Sequence, residues 1–128
     1  MATDLVQMER VAGQVQGALR TADLTGYREL LDPNVTWGAP GDMEPGCRNR
    51  DQVLAWYRRG RAKGVRADVT EATVHNDKIL VGLSIFDGQS SSESGRQTHR
   101  WQILTVKNGL IIDIRGFEER VAAIASME

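Results

Sequence analysis

The sequence is poor in the residues that disulfide frameworks and metal sites require. Among 128 residues it has one cysteine and two histidines. A lone Cys47 excludes an internal disulfide, and with only His75 and His99 as other soft ligands it leaves no zinc-finger spacing. We therefore expect no structural zinc, no other bound metal and no cofactor.

A strong net charge and long apolar runs are lacking as well. The formal net charge is −1, with 16 basic and 17 acidic residues interspersed along the chain. This balance gives no electrostatic footprint for nucleic acid. No segment approaches the roughly 18 consecutive apolar residues of a membrane span, and the first residues lack the basic start and apolar run of a secretory signal. We therefore expect a soluble, cytoplasmic protein without nucleic-acid or membrane partners.

The strongest local signal is a β-hairpin near the C-terminus. Two runs rich in β-branched residues, Arg100 to Val106 and Leu110 to Phe117, flank Lys107-Asn108-Gly109. Asn-Gly pairs tolerate the positive φ angles of a tight turn, so this spacing predicts two long antiparallel strands. Both runs are apolar on both faces over much of their length, which predicts that the hairpin is covered on both sides.

The rest of the chain alternates between helical and strand periodicity. Helical patterns begin near Asp4, Asp23, Asn49 and Glu118, and strand patterns cover 35–37, 65–70 and 79–86. The segments 38–47 and 87–95 are predicted loops. The order α-α-β-α-β-β-β-β-α indicates one α+β domain over residues 1–128. In it a cone-shaped, curved antiparallel sheet packs against three helices from the N-terminal half and a short C-terminal helix.

Three stretches resemble one family. They are Leu31 to Trp37, Cys47 to Val53 and Leu104 to Phe117. Together with the element order they resemble the nuclear transport factor 2-like superfamily, which has a cystatin-like fold, and within it the SnoaL-like (polyketide cyclase-like) group. The resemblance implies a conical pocket between the helices and the sheet. It leaves the activity open, because the superfamily contains isomerases, hydrolases, cyclases, dehydratases and members without an established activity.

The catalytic acids of the family are missing from the matching positions. The general-base aspartate of ketosteroid isomerases falls at Trp37, whose indole cannot accept a proton from carbon. Their neutral acid falls near Gln102, which can donate a hydrogen bond but cannot act as an acid. The catalytic aspartate of limonene epoxide hydrolases and SnoaL-type cyclases falls at Gly116. The resemblance therefore does not carry these mechanisms over to this chain.

The family register also implies which side chains line the interior. The inward set is Ile114, Gly116 and Glu118 from the last strand, Arg100, Gln102 and Leu104 from its partner, and Trp56 from the third helix. Trp37, Trp56 and Tyr27 would give an aromatic lining suited to a flat, largely apolar ligand, the alternative being that these rings are ordinary core. The predicted substrate-binding residues are thus Tyr27, Trp37, Trp56, Leu104, Ile114 and Gly116.

Four side chains are candidates for catalysis: Arg100, His99, Gln102 and Glu118. Arg100 and Gln102 could orient a carbonyl or stabilise an oxyanion, or could instead form a surface ladder with Asp113 or Glu118. His99 is the natural acid or base near neutral pH, although strand alternation places it opposite Gln102 on the outer face. Glu118 is the candidate carboxylate at the mouth of the cone, and it also suits the first turn of the last helix.

Two hypotheses follow from these residues. The first is a cofactor-independent cyclase, isomerase or hydrolase acting on a hydrophobic, carbonyl-bearing small molecule. The second is a non-catalytic ligand-binding or assembly module with the same fold. An empty cavity with converging polar groups would support a ligand site, whereas an interior plugged by Trp37 and Trp56 would end the enzyme hypothesis. The resemblance also implies a homodimer through the outer sheet face, where we expect Trp101, Ile103 and Ile111.

Overall fold

A computed structural model describes residues 5–21, 23–39, 46–87 and 96–127. Its elements are helices α1 (Leu5–Thr21) and α2 (Leu24–Leu30), strand β1 (Leu31–Gly38), helix α3 (Arg50–Ala62), strands β2 (Val65–His75), β3 (Lys78–Asp87), β4 (Arg96–Lys107) and β5 (Leu110–Phe117), and helix α4 (Arg120–Ser126). This order and the α+β class confirm the prediction. The predicted helix start at Asp4 and most of the two predicted loops lie outside the described residues.

The five strands form one sheet in the order β1-β5-β4-β3-β2. Strands β2 to β5 are joined by antiparallel pairing, as predicted, while β1 runs parallel to β5 at the edge and makes the sheet mixed. The β4–β5 turn has φ angles of 54° at Asn108 and 80° at Gly109. These positive values are the ones that an Asn-Gly hairpin turn requires, so the predicted hairpin is confirmed.

Side-chain caps fix the start of two helices that carry site residues. The Asp23 carboxylate accepts a hydrogen bond of 2.9 Å from the backbone N–H of Gly26 at the start of α2. The Asn49 side chain accepts one of 2.9 Å from the backbone N–H of Gln52 at the start of α3. Each bond satisfies an N–H group that has no partner inside the helix.

The sheet is covered on both faces, as the apolar hairpin predicted. On the inner face, helices α1, α2 and α3 pack over the main core, which includes Met8, Val15, Tyr27, Val53, Ile79, Val81, Leu83, Leu104 and Ile114. On the outer face, α4 covers a smaller cluster formed by Leu80, Ile103, Phe117 and Ala123, with Trp101 packed against it. The inner face is therefore the side on which an enclosed site can form.

One predicted facing is wrong. Strand β5 pairs with β4 at Thr105–Asp113 and next at Val106–Ile111, so that Ile112 is an extra residue in a β-bulge. The bulge reverses the alternation of side chains, and Ile111 is buried with Val106 in the inner core rather than on the outer face. Trp101 and Ile103 do lie on the outer face. The homodimer through that face stays a prediction.

Candidate functional site

The loop after β1 holds Trp37 in place through the backbone. The N–H of Trp37 donates to the carbonyl of Cys47 at 2.9 Å, and the N–H of Cys47 donates back to Trp37 at 3.1 Å. This isolated bridge ties the end of β1 to Cys47, three residues before the start of α3. Burial raises the pKa of the Cys47 thiol, while nearby Arg59 acts in the opposite direction. Cys47 therefore serves as a buried anchor for Trp37.

Four aromatic rings meet on the inner side of the sheet. The Trp37 ring stacks on Tyr57 at 5.2 Å between centroids and meets Trp56 edge to face at 4.8 Å. Tyr57 in turn meets Tyr27 edge to face at 5.5 Å. Tyr27 is fully buried, whereas Trp56 remains 50% exposed. The cluster thus runs from a solvent-facing ring on α3 to a buried ring on α2.

Three polar atoms are enclosed in or beside this cluster without a partner. They are the hydroxyls of Tyr27 and Tyr57 and the amide oxygen Oε1 of Gln102, and none has a hydrogen bond of good geometry to a described residue. The Tyr57 hydroxyl nevertheless lies close enough to Gln102 and Tyr27 to form poorly aligned hydrogen bonds with them. Burial raises its pKa above the ordinary tyrosine value, and interactions with Gln102 and Tyr27 partly offset that rise. Burial also raises the pKa of Tyr27. Both hydroxyls are therefore protonated near neutral pH and can donate hydrogen bonds.

Cross-strand pairs on β4 and β5 grade from apolar to charged along the inner face. Leu104 pairs with Ile114 and both are fully buried, and Gln102 pairs with Gly116 one pleat further along. Beyond that pair, Nη1 of Arg100 lies 4.0 Å from Oε1 of Glu118. Arg100 follows the inner face because its neighbour on β3 is Leu83, a member of the inner core. We call the Arg100–Glu118 end of the site the mouth.

The two positions that distinguish this chain from related enzymes lie against each other. A Cβ atom added at Gly116 would be 4.0 Å from the indole Nε1 of Trp37. The bulky ring at the position of the isomerase base therefore lies against the glycine at the position of the hydrolase acid. The family resemblance implied that catalytic acids are missing at two separate positions, and in the structure these two positions are in contact.

Comparison with known proteins identifies the family of this chain. Residues 11–114 match the family model of the SnoaL-like domain. The chain belongs to the SnoaL-like family. The predicted resemblance is thereby confirmed, within the nuclear transport factor 2-like superfamily. No curated protein matches the sequence.

Solved structures similar to this SnoaL-like chain come from several functional groups. A ketosteroid isomerase-like protein from Kribbella flavida has a TM-score of 0.75 at 18% identity, with 92% of this chain and 82% of that chain covered. A SnoaL-like polyketide cyclase-like protein from Jannaschia sp. CCS1 has a TM-score of 0.70 at 16% identity, covering 95% and 92%. An epoxide hydrolase from M. tuberculosis has a TM-score of 0.67 at 14% identity, covering 95% and 89%. At these identities the likeness establishes the fold alone.

Most of the residues predicted for the site of this SnoaL-like chain are brought together. Tyr27, Trp37 and Trp56 belong to one aromatic cluster, and the inner-face positions of β4 and β5 follow the predicted order. His99 is exposed and pairs with Ser84 on β3. Because it alternates with Arg100, its side chain lies on the outer face, away from the aromatic cluster.

Tyr57 is the site residue that sequence reasoning missed. It lies four residues after Val53, a spacing that puts both on one face of a helix, and that face packs inward because Val53 is buried in the core. The signal was present in this spacing. The spacing could not predict the direction of the Tyr57 hydroxyl, which lies toward Gln102, a residue 45 positions away in the sequence.

Other kinds of site receive no support from the described residues. No group of three or more His, Cys, Asp and Glu side chains within them could hold a metal ion. None of the helices seen in the same residues has the length and apolar character needed to cross a membrane. A groove of about 500 Å³ runs between α1 and α2, lined by residues such as Gln14, Gly17 and Glu29. It lies apart from the aromatic cluster and brings together no predicted site residue.

Proposed function

We propose that the chain is a small-molecule-binding protein of the SnoaL-like family. Its ligand is flat, largely apolar and neutral in the part that enters the interior, and it carries one hydroxyl, carbonyl or N–H group. The observation that carries this proposal is the set of enclosed, unpartnered polar atoms on Tyr27, Tyr57 and Gln102.

Enclosed polar atoms without partners are costly. Each unsatisfied group destabilises a folded protein by about 1–3 kcal/mol. Here three such atoms gather beside one aromatic cluster. A ligand hydroxyl could donate to Gln102 and accept from Tyr57, while a carbonyl could accept from either tyrosine. Binding would then supply well-aligned hydrogen bonds in place of the poorly aligned contacts among these three groups.

The charge of the interior selects the ligand. The residues that form its walls are aromatic or aliphatic, with Gln102 as the one polar member of the buried core among the described residues. A charged group placed there would lose its hydration without gaining a counter-ion. The part of the ligand that reaches Gln102 is therefore neutral.

The aromatic rings must part to admit the ligand. Trp37 and Trp56 are in contact, so the cluster is closed as it stands. Trp56 is 50% exposed and sits on the solvent side, so its rotation costs little buried area. This closed packing supports binding ahead of catalysis, since a filled interior is the arrangement that argued against an enzyme.

A neutral fluorescent probe tests the proposal. N-(p-tolyl)-2-naphthylamine is flat and apolar and has one N–H donor, which would bond to Gln102. Gln102→Leu removes the acceptor and is expected to weaken binding of the probe about tenfold, while raising the free energy of unfolding by about 1 kcal/mol because it removes an unsatisfied group. Probe titration and urea unfolding measure the two effects.

Gln102→Leu is thus expected to bind the probe more weakly and yet to be more stable, and these opposite changes distinguish a binding role of Gln102 from a structural one. Gln16→Leu, at a partly exposed position of α1 that does not line the groove, is the matched control and should change neither quantity by a comparable amount. A probe that does not bind the wild-type protein would sink the proposal. So would a Gln102→Leu variant that is less stable yet binds the probe unchanged.

Catalysis after the rings have parted is the second candidate, and the position of Glu118 favours it. This carboxylate lies one pleat beyond the Gln102–Gly116 pair, at the mouth, where it could take a proton from a carbon next to a carbonyl. A test is deuterium exchange of the α-protons of 2-tetralone, followed by NMR. Glu118→Gln should lower the exchange rate by about a hundredfold, and Glu119→Gln, the adjacent exposed acid, should leave it unchanged. Equal rates in the wild type and Glu118→Gln would rule out this role.

A further inference from the structure

Arg100 is the cation that β4 places on the inner face, beside the proposed site. It lies two residues from Gln102 on β4, and successive inner-face positions on a strand are about 7 Å apart. Its side chain is 44% exposed, so it lies partly against the protein and partly in solvent. A ligand that reaches Gln102 therefore passes beside this guanidinium.

The ion pair that Arg100 makes is weak. Its partner Glu118 lies at 4.0 Å, the outer limit for such a pair, and the Glu118 side chain is 83% exposed. Pairs as exposed as this contribute little, because water and salt screen them. By contrast, Arg115 on the other face is firmly held by Asp113, with an Nε to Oδ2 distance of 3.0 Å. Arg100 is thus able to exchange its partner for a better one.

We propose that Arg100 binds an anionic group on the ligand, and that the ligand is an amphipathic monoanion. Its apolar part would lie under Trp37 and Trp56, and its carboxylate or sulfonate would replace Glu118 at the mouth. This inference rests on the proposed function and adds the charged end of the ligand to it. The guanidinium fork suits such a group, since it can donate two parallel hydrogen bonds to one oxyanion.

The gradient along β4 and β5 is the argument for this ligand class. The inner-face pairs change from Leu104–Ile114 through Gln102–Gly116 to Arg100–Glu118. A molecule lying along them would meet apolar, neutral polar and cationic surroundings in turn. An apolar body, one neutral polar atom and a terminal anion match that sequence of surroundings.

Two probes that differ by a single sulfonate group test the inference. The first is 6-(p-toluidino)-2-naphthalenesulfonate, which carries its amine and its sulfonate at opposite ends of the naphthalene ring. The second is its neutral parent, N-(p-tolyl)-2-naphthylamine. We expect the wild-type protein to bind the sulfonate about tenfold more tightly than the parent. The preference should shrink as salt is added.

Three variants assign the preference to Arg100. Arg100→Gln should bind both probes alike, whereas Arg100→Lys should keep part of the preference for the sulfonate. Arg66→Gln makes the same change of charge on the opposite face of the sheet and should leave the preference intact. Glu118→Gln should bind the sulfonate several-fold more tightly, because it removes the competing carboxylate.

The outcomes separate this inference from the proposed function. If the wild type binds both probes equally, or Arg100→Gln loses affinity for both to the same extent, Arg100 is not an anion site, although an interior site remains. If neither probe binds, the proposed function fails and the inference fails with it. Circular dichroism of each variant confirms that the fold is retained, and Glu118→Gln provides a gain of affinity that misfolding cannot imitate.

Discussion

Gly82→Ala is expected to lower the free energy of unfolding by about 3 kcal/mol, at the upper end for overpacked sites. A Cβ atom at this position would collide with Cζ3 of Trp101 and come within 2.8 Å of Thr70 Oγ1. The Trp101 ring cannot move away easily, because the Arg120 guanidinium lies over it at 5.8 Å from the ring centroid. Arg120 is itself held to Glu71 by two hydrogen bonds of 2.9 Å.

Urea unfolding followed by circular dichroism measures this loss. Gly13→Ala on α1 is the matched control, since a Cβ atom there meets nothing within 4 Å. That variant should be more stable than the wild type by about 0.5–1 kcal/mol, the usual gain for alanine over glycine in a helix. Trp101→Leu combined with Gly82→Ala should recover part of the loss, because the smaller side chain leaves room for the new methyl group. A Gly82→Ala protein as stable as the wild type would contradict the close packing.

Local signals in the sequence were sufficient for most of the fold. The Asn108-Gly109 turn and the caps at Asp23 and Asn49 depend on residues a few positions apart, and each was predicted correctly. The bulge at Ile112 was not, because nothing in the residue types of β5 marks where the register shifts. A period-two assumption then placed Ile111 on the wrong face.

The site was predictable only as far as strand alternation and the family register reach. The family register placed Gln102 and Leu104 on the inner face, and both are buried there. The contact between Trp37 and Gly116 could not be predicted, because it depends on how β1 lies beside β5 across almost 80 residues of sequence. The same holds for Tyr57, whose neighbouring polar groups come from α2 and β4. These contacts depend on packing between residues that are far apart in the sequence, and the periodicity of residue types carries no information on such packing.

Gly116→Leu is expected to weaken binding of N-(p-tolyl)-2-naphthylamine by about thirtyfold, which corresponds to an overpacking cost of about 2 kcal/mol. The added Cβ atom itself fits, at an ordinary distance of 4.0 Å from Trp37 Nε1. The branched end of leucine goes further and must occupy the space beside Gln102 into which the ligand would be bound. Gly116→Ala is the matched control, and it should change the affinity no more than about twofold.

A second substitution tests whether the side chains at positions 37 and 116 compete for the same space in the interior. Removing the indole by Trp37→Ala in the Gly116→Leu background should restore most of the lost affinity, because the leucine can then lie where the ring was. Independent sites would instead give additive losses, since distant substitutions rarely couple. Additive losses would show that Trp37 is only part of the core and that the site lies elsewhere. Coupling would mean that the indole at position 37 and the glycine at position 116 together shape the interior for a ligand, in the place where related enzymes hold their acids.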